Sequence, residues 1–164
     1  MLKLELLKKE NVERFNQEQE KAFSIHERFF EEGQILEPED PNEFDFDAAK
    51  ILGDKNSTIL EIYDGTKYIG GTIVSRIDKS KYDIVLFYLT IDSLGKGLGK
   101  NALSLVESYF LDAELFRLIT PSAVLYNTVF YVNKCGYKIV EIVGFNKDKN
   151  IADFVFEKEI NRNK

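Results

Sequence analysis

Apolar and polar residues alternate from Met1 to Leu7, the period of a half-buried strand. From Asn11 the period lengthens. Val12, Phe15, Ala22, Phe23, His26, Phe29 and Phe30 share one helical face running to about Glu32, with Asn11 as N-cap and Gly33 as stop. The stretch 34 to 57, broken by Pro38 and Pro41, patterns weakly and predicts only a short helix near Phe46 to Leu52. Period two then returns in Thr58 to Tyr63 and Lys67 to Ile77, on either side of Asp64-Gly65, a pair that tolerates the positive φ of a hairpin turn. A polar corner, Asp78 to Lys81, leads into a third strand, Tyr82 to Ile91, completing an antiparallel meander.

Beyond the meander the elements alternate in type. A helix over 98–112 carries Leu98, Ala102, Leu105, Val106 and Tyr109 on one stripe, and Leu115 to Thr120 reads as a short apolar strand. Pro121-Ser122 opens a second helix, 123–134, which Gly136 ends. Two last strands, Tyr137 to Phe145 and Ile151 to Ile160, flank the polar turn Asn146 to Asn150. Strand, helix, strand in succession implies a parallel crossover. The predicted class is therefore α+β in three layers: a mixed, mostly antiparallel sheet of about seven strands with helices on both faces. No repeat, low-complexity tract or linker interrupts residues 1–164, so a single domain is expected.

Composition narrows the function. Acids outnumber bases 28 to 22, a net charge of −6 that disfavours a nonspecific grip on nucleic acid. The excess is local: residues 27–47 hold nine acids (Glu27, Glu31, Glu32, Glu37, Glu39, Asp40, Glu43, Asp45, Asp47) and one base, Arg28, so this segment is −8 and the rest of the chain +2. Such a run is either a solvated face or a rim that attracts cations. One cysteine, Cys135, and one histidine, His26, allow neither an intrachain disulfide nor a zinc cage of nitrogen and sulfur, and no metal is expected. No run approaches the roughly 18 apolar residues of a membrane span. The N-terminus lacks a signal peptide's apolar core, so a cytoplasmic protein without a membrane partner is expected.

The most informative segment is Ile91-Asp-Ser-Leu-Gly95-Lys-Gly97-Leu-Gly99-Lys-Asn101, between a strand and a helix. Three alternate glycines let several N–H groups turn toward one point, and the helix that follows adds its unpaired N–H groups. Lys96 and Lys100 add charge. A Walker A loop fails, because Leu94 stands where its first glycine belongs and Asn101 where Ser or Thr belongs. A dinucleotide fingerprint fails at Lys100, three residues after Gly97.

Leu94-Gly-Lys-Gly-Leu-Gly99 resembles the pyrophosphate loop of the GNAT superfamily of acetyl-CoA-dependent N-acetyltransferases, whose pattern is Gln/Arg-x-x-Gly-x-Gly/Ala. At the expected distance, Asn127-Thr-Val-Phe-Tyr131-Val-Asn-Lys-Cys-Gly136-Tyr137 resembles that family's Asn-x-x-Phe-Tyr-x-x-x-Gly-Phe. The order of elements matches as well, so the resemblance covers essentially the whole chain. It implies transfer of acetyl from acetyl-CoA, the co-substrate, directly to an amine on a small molecule, peptide or protein, by a monomer or homodimer. By position it implies that two parallel strands splay to admit the pantetheine arm, with the backbones of Leu89 and Ile91 alongside it. The loop Leu94, Gly95, Lys96, Gly97, Leu98, Gly99 and Lys100 would hold the pyrophosphate through its amides. Asn127 would touch the pantetheine, and Tyr131 would sit near the thioester sulfur as the acid. An acidic rim over 27–47 would favour a cationic acceptor.

Two positions depart from the pattern. Leu94 replaces Gln or Arg, which removes one side-chain contact and leaves the amides. Tyr131 lies five residues before Gly136 instead of four, with Val132 at the usual count. An extra residue taken up after the helix leaves Tyr131 in place; one taken up inside the helix turns it by about 100°. The chemistry needs a neutral amine, although a free alkylamine titrates near 10.4, a held oxyanion, for which the Leu89 N–H is a candidate, and a donor to the leaving thiolate. No base is singled out: Asp83, Glu61 and His26 are candidates, and Cys135 reads as a buried structural thiol. The alternative to an enzyme is an acyl-CoA sensor on the same fold, and behind it a phosphate-binding module unrelated to CoA.

Overall fold

The computed structural model describes residues 1–31 and 46–162. Seven strands form one sheet: β1 (Leu2–Leu6), β2 (Ser57–Asp64), β3 (Lys67–Asp78), β4 (Lys81–Leu89), β5 (Leu115–Pro121), β6 (Lys138–Asn146) and β7 (Ile151–Glu159), in the order β1-β2-β3-β4-β5-β7-β6. Every neighbouring pair is antiparallel except β4 with β5. Helices α1 (Val12–Ser24) and α2 (Ala48–Ile51) cover one face, and α3 (Leu98–Tyr109) and α4 (Leu125–Val129) the other. The predicted class holds, with strand and helix ends moved by a few residues. The turn Asp64-Gly65 forms as expected, with Gly65 at φ +61°.

Each face has its own core. On the α1 side Phe15 lies over Gly71, where a Cβ would come within 2.3 Å of its ring, and its ring meets Tyr88 edge to face. The α3 side gathers Leu60, Ile62, Val106, Phe116, Tyr131 and Phe156 into a larger cluster. Val85 is an extra residue in β4: Ile84 pairs with Val74 and Leu86 with Ile73, so the strand bulges there. The bulge reverses the alternation. Tyr82 and Ile84 face α3, whereas Leu86 and Tyr88 face α1.

Three expectations need correction. The strand predicted to reach Ile91 ends at Leu89, because Thr90 and Ser93 join hydroxyls 2.7 Å apart across a 3₁₀ turn, Ile91–Ser93. The first helix ends at Ser24 and tightens into a 3₁₀ turn, Ile25–Phe29. On α3 the buried stripe is Ala102, Leu103, Val106 and Glu107, while Tyr109 stands exposed. The stripe shifts because the Glu107 carboxylate is drawn inward, accepting hydrogen bonds from Tyr137 Oη (2.8 Å) and Lys158 Nζ (2.7 Å). A buried carboxylate with two donors is tolerated where an unpaired one is not.

Candidate functional site

The parallel pair β4–β5 is joined only at its root: Lys81 opposite Leu115, Tyr82 opposite Phe116, Asp83 opposite Arg117. Beyond those three pairs the strands separate. Ile84 to Leu89 and Leu118 to Pro121 therefore face each other across a gap with unpaired backbone edges. Thr90 N–H donates to Ile69 O on β3 (2.8 Å), so the Leu89 N–H, one residue earlier, points the other way, into the gap. An extended chain could add to these edges as a strand would.

At the mouth of the gap the chain turns through Leu94 and the glycines into α3. Gly95 (φ +71°) and Gly97 (φ +74°) are left-handed, a backbone conformation that disfavours any side chain. No side chain caps α3, and the N–H groups of Gly95, Lys96 and Gly97 donate to no protein acceptor among the described residues. The helix adds the open N–H groups of its first turn and its positive end. Gly99 serves packing: a Cβ there would come within 3.0 Å of the Phe130 ring. Lys67 and Asp92 pair at 2.8 Å and tie the approach to this loop to β3. Ile91 lies in the 3₁₀ turn and so cannot prolong the β4 edge.

Helix α4 closes the other side. Asn127 Nδ2 donates to Thr120 Oγ1 at 3.2 Å, which holds the helix to the free end of β5. The extra residue between Tyr131 and Gly136 is taken up inside the helix: Phe130–Lys134 forms a π-turn, in which Cys135 N–H reaches Phe130 O at 3.1 Å. Tyr131 is nevertheless not swung outward. It follows Asn127 by one α-helical turn and packs on Phe130, Tyr137 and Phe156, with ring centroids 5.1, 5.8 and 5.7 Å away. Burial pushes its phenol above the ordinary range, and its hydroxyl makes no hydrogen bond among the described residues.

The candidate bases fall in different places. Glu61 is buried and accepts from Arg14 Nη2 (2.5 Å) and Asn11 Nδ2 (2.9 Å), an ion pair that pins α1 to β2. Asp83 sits at the root of the gap, where burial raises its carboxyl pKa and Arg117 opposes that rise. His26 stacks on Phe23 (5.7 Å), and burial, with Arg28 beside it, lowers its pKa. Of the acidic run, Glu32 to Asp45 lie outside the described residues; Asp47 caps α2 through Ala49 N–H and accepts from Asn16. Nothing in the sequence marks Thr120, whose contact with Asn127 depends on how α4 lies against β5. No group of three or more metal-ligating side chains occurs, and no helix is long and apolar enough to cross a membrane, among the described residues.

No family model matches the chain. It is 31% identical over 143 residues to the uncharacterized protein YrkN of Bacillus subtilis strain 168, a match covering 84% of this chain and 74% of YrkN. Among solved structures it resembles the ribosomal-protein-S18-alanine N-acetyltransferase of Escherichia coli, with a TM-score of 0.71 at 12% identity over 99% of this chain and 96% of that one. It also resembles the spermidine N-acetyltransferase of Vibrio cholerae, solved with CoA and spermine, with a TM-score of 0.70 at 13% identity over 96% and 95%. A GNAT-family protein from Desulfovibrio desulfuricans superposes at 0.71, 12% identical over 97% and 99%. The chain thus belongs to one family with YrkN and is built on the fold of the GNAT acetyltransferases.

Proposed function

We propose that this protein is an N-acetyltransferase that moves acetyl from acetyl-CoA directly to an amine. The observation that carries the reading is the open β4–β5 seam leading to a loop of uncapped N–H groups. An extended amide-bearing arm that ends in a diphosphate fits both parts. When bound, acetyl-CoA supplies an activated acetyl thioester. Gly95, Lys96 and Gly97 would hold the diphosphate through their amides, with the first turn of α3, Leu98 to Lys100, and the Lys96 and Lys100 ammoniums adding charge. Leu94 contributes backbone only. Leu89 would donate its N–H to negative charge developing on the carbonyl oxygen, a contact preorganised by β3–β4 pairing. Asn127 would border the arm. Tyr131 would donate its unpartnered hydroxyl to the departing sulfur; its raised pKa makes it a hydrogen-bond donor that keeps its proton at neutral pH.

The acceptor is an amine whose proton must leave before attack. The relatives in structure act on spermidine and on a ribosomal protein, and a small cationic amine is the first acceptor to screen. The burial of Tyr131 supports a second reading, an acyl-CoA sensor without turnover. Calorimetric titration with acetyl-CoA, followed by thiol release in the presence of spermidine, spermine and lysine-rich peptides, tests both. Binding with turnover is expected, and Tyr131→Phe should lower kcat by about a hundredfold without changing the Kd of acetyl-CoA. Binding without turnover on any amine would favour the sensor, and no binding would sink both.

A further inference from the structure

The polar residues buried whole are paired, with one exception among the described residues. Glu61 and Glu107 each accept from two donors, and Thr72 Oγ1 donates to Leu86 O at 2.7 Å. Thr90 pairs with Ser93, and Thr120 accepts from Asn127. Gln19 is the exception: it is 7% exposed, and its side chain makes no hydrogen bond among the described residues. Thr128, half-buried on α4, also carries an unpaired hydroxyl, but that oxygen is sealed from solvent, whereas the Gln19 amide is not. A buried amide without a partner costs free energy, and a ligand that reaches it recovers the loss.

Helix α1 crosses the strands along a single row of the sheet. Glu61, Gly71 and Tyr88 stand opposite one another on β2, β3 and β4. Arg14 pairs with Glu61, Phe15 lies over Gly71, and Phe15 O accepts from Tyr88 Oη at 2.9 Å. Gln19 is the next residue of the buried stripe. It lies about 6 Å further along the helix axis, against a strand spacing of about 4.8 Å. That step carries it past Tyr88 to the β4 edge that faces the open seam, on the face opposite Tyr131. Its neighbours are committed: Glu18 to Lys21 at 2.8 Å, Asn16 to Asp47 and Ala48 N–H, and the Tyr88 hydroxyl to Phe15 O and Tyr68. Because Tyr131 and its aromatic neighbours fill the α3 face, an amine reaches a carbonyl held at Leu89 from the α1 face, where the Gln19 amide stands.

We infer that Gln19 binds the acceptor. Oε1 accepts an N–H of the attacking amine, which leaves the nitrogen lone pair for the carbonyl, and Nε2 donates to an oxygen on the same molecule. In the transfer itself the C–N bond forms and the C–S bond breaks, one amine proton passes to water, and the thiolate takes one up. Only a molecule that presents a donor and an acceptor together meets the whole amide. The acceptor class is therefore an α-amino amide, as in an amino-acid amide or a peptide amino terminus, in preference to a plain alkylamine, which leaves Nε2 unmet. The inference rests on the acetyltransferase reading and narrows its acceptor.

Initial-rate kinetics of the full chain with acetyl-CoA and two acceptors of similar shape test this: alaninamide, and sec-butylamine, which lacks the carboxamide. With each rate corrected for the unprotonated fraction of the amine, the wild type should favour alaninamide in kcat/KM by at least about tenfold. Gln19→Met keeps the volume and removes both polar atoms. It should shrink that preference to within about twofold and leave the Kd of acetyl-CoA within about twofold. It should not lower the thermal midpoint, since no protein group loses a bond. Gln19→Glu, which accepts and cannot donate, should move the preference toward sec-butylamine. A preference that survives in Gln19→Met overturns the inference. So does a wild type that binds acetyl-CoA and shows no preference, favours sec-butylamine or uses neither amine; the coenzyme reading stands in each case. A midpoint that falls together with both kcat/KM values assigns Gln19 to packing and overturns it too. Failure to bind acetyl-CoA sinks the acetyltransferase reading and this one with it.

Discussion

Strand β5 has two edges with opposite fates. Toward β7 it pairs along its whole length, from Leu115 opposite Glu159 to Pro121 opposite Asp153; toward β4 it pairs at three residues and then parts company. The closed seam is held by side chains on both strands, with Leu118 opposite Phe156 and Ile119 opposite Val155. Along the open seam, the Val85 bulge re-aims β4, and Asn127 fastens the far end of β5 to α4 instead of to a neighbouring strand. Unpaired backbone inside a sheet costs free energy unless water or a ligand meets it. Inside the sheet the fold thus leaves one seam open, between β4 and β5, and places the donor-rich start of α3 at the mouth of that seam.

Substitutions can pull the two seams apart. The largest effect on stability is expected from Gly70→Ala: the new Cβ would stand 2.1 Å from the Tyr88 carbonyl oxygen, so β3 and β4 could not keep their pairing. A loss of about 3 kcal/mol in urea unfolding is expected; an unchanged midpoint would show that the β4 wall is looser than its contacts imply. Next comes the buried thiol at the end of the π-turn. Because the Cys135 thiol is held up to about 11, its thiolate is scarce at pH 8, and iodoacetamide should react on the order of a hundredfold more slowly than with a free cysteine. The rate should climb with pH until about 11; a plateau near 8.5 would mean that the thiol is open to water. The smallest of the three is Gly97→Val. Nothing crowds a Cβ there, so only the left-handed backbone objects, and the loop amides should be re-aimed. Acetyl-CoA affinity should fall by about tenfold while the thermal midpoint moves by only a few degrees.

Much of this fold is legible from periodicity. The meander, the strand–helix–strand succession and the last hairpin follow from alternation and from turn residues such as Asp64-Gly65. The glycine loop is legible too, since its geometry is fixed by residues that lack side chains. Three features escape, each for a physical reason. The Val85 bulge leaves no mark, because Ile84, Val85 and Leu86 are all apolar and the alternation is masked. Glu107 reads as a solvent residue until Tyr137 and Lys158, thirty and fifty-one positions away, supply its partners. The site of the inserted residue near Tyr131 is undecided in the sequence, since helix and loop could each accommodate it. Backbone hydrogen bonding decides for the helix.

That widened turn bears on how this chain should be matched to its structural relatives. A π-turn is a one-residue insertion absorbed without a loop, so the helix keeps its length in space while its numbering slips. Counting back from Gly136 and counting forward from β5 therefore assign different counterparts to Asn127 and Tyr131. An alignment that forbids a gap within a helix carries the error through the whole segment. Superposition of backbones, anchored on Thr120 and Gly99, is the counting frame that preserves chemical equivalence here.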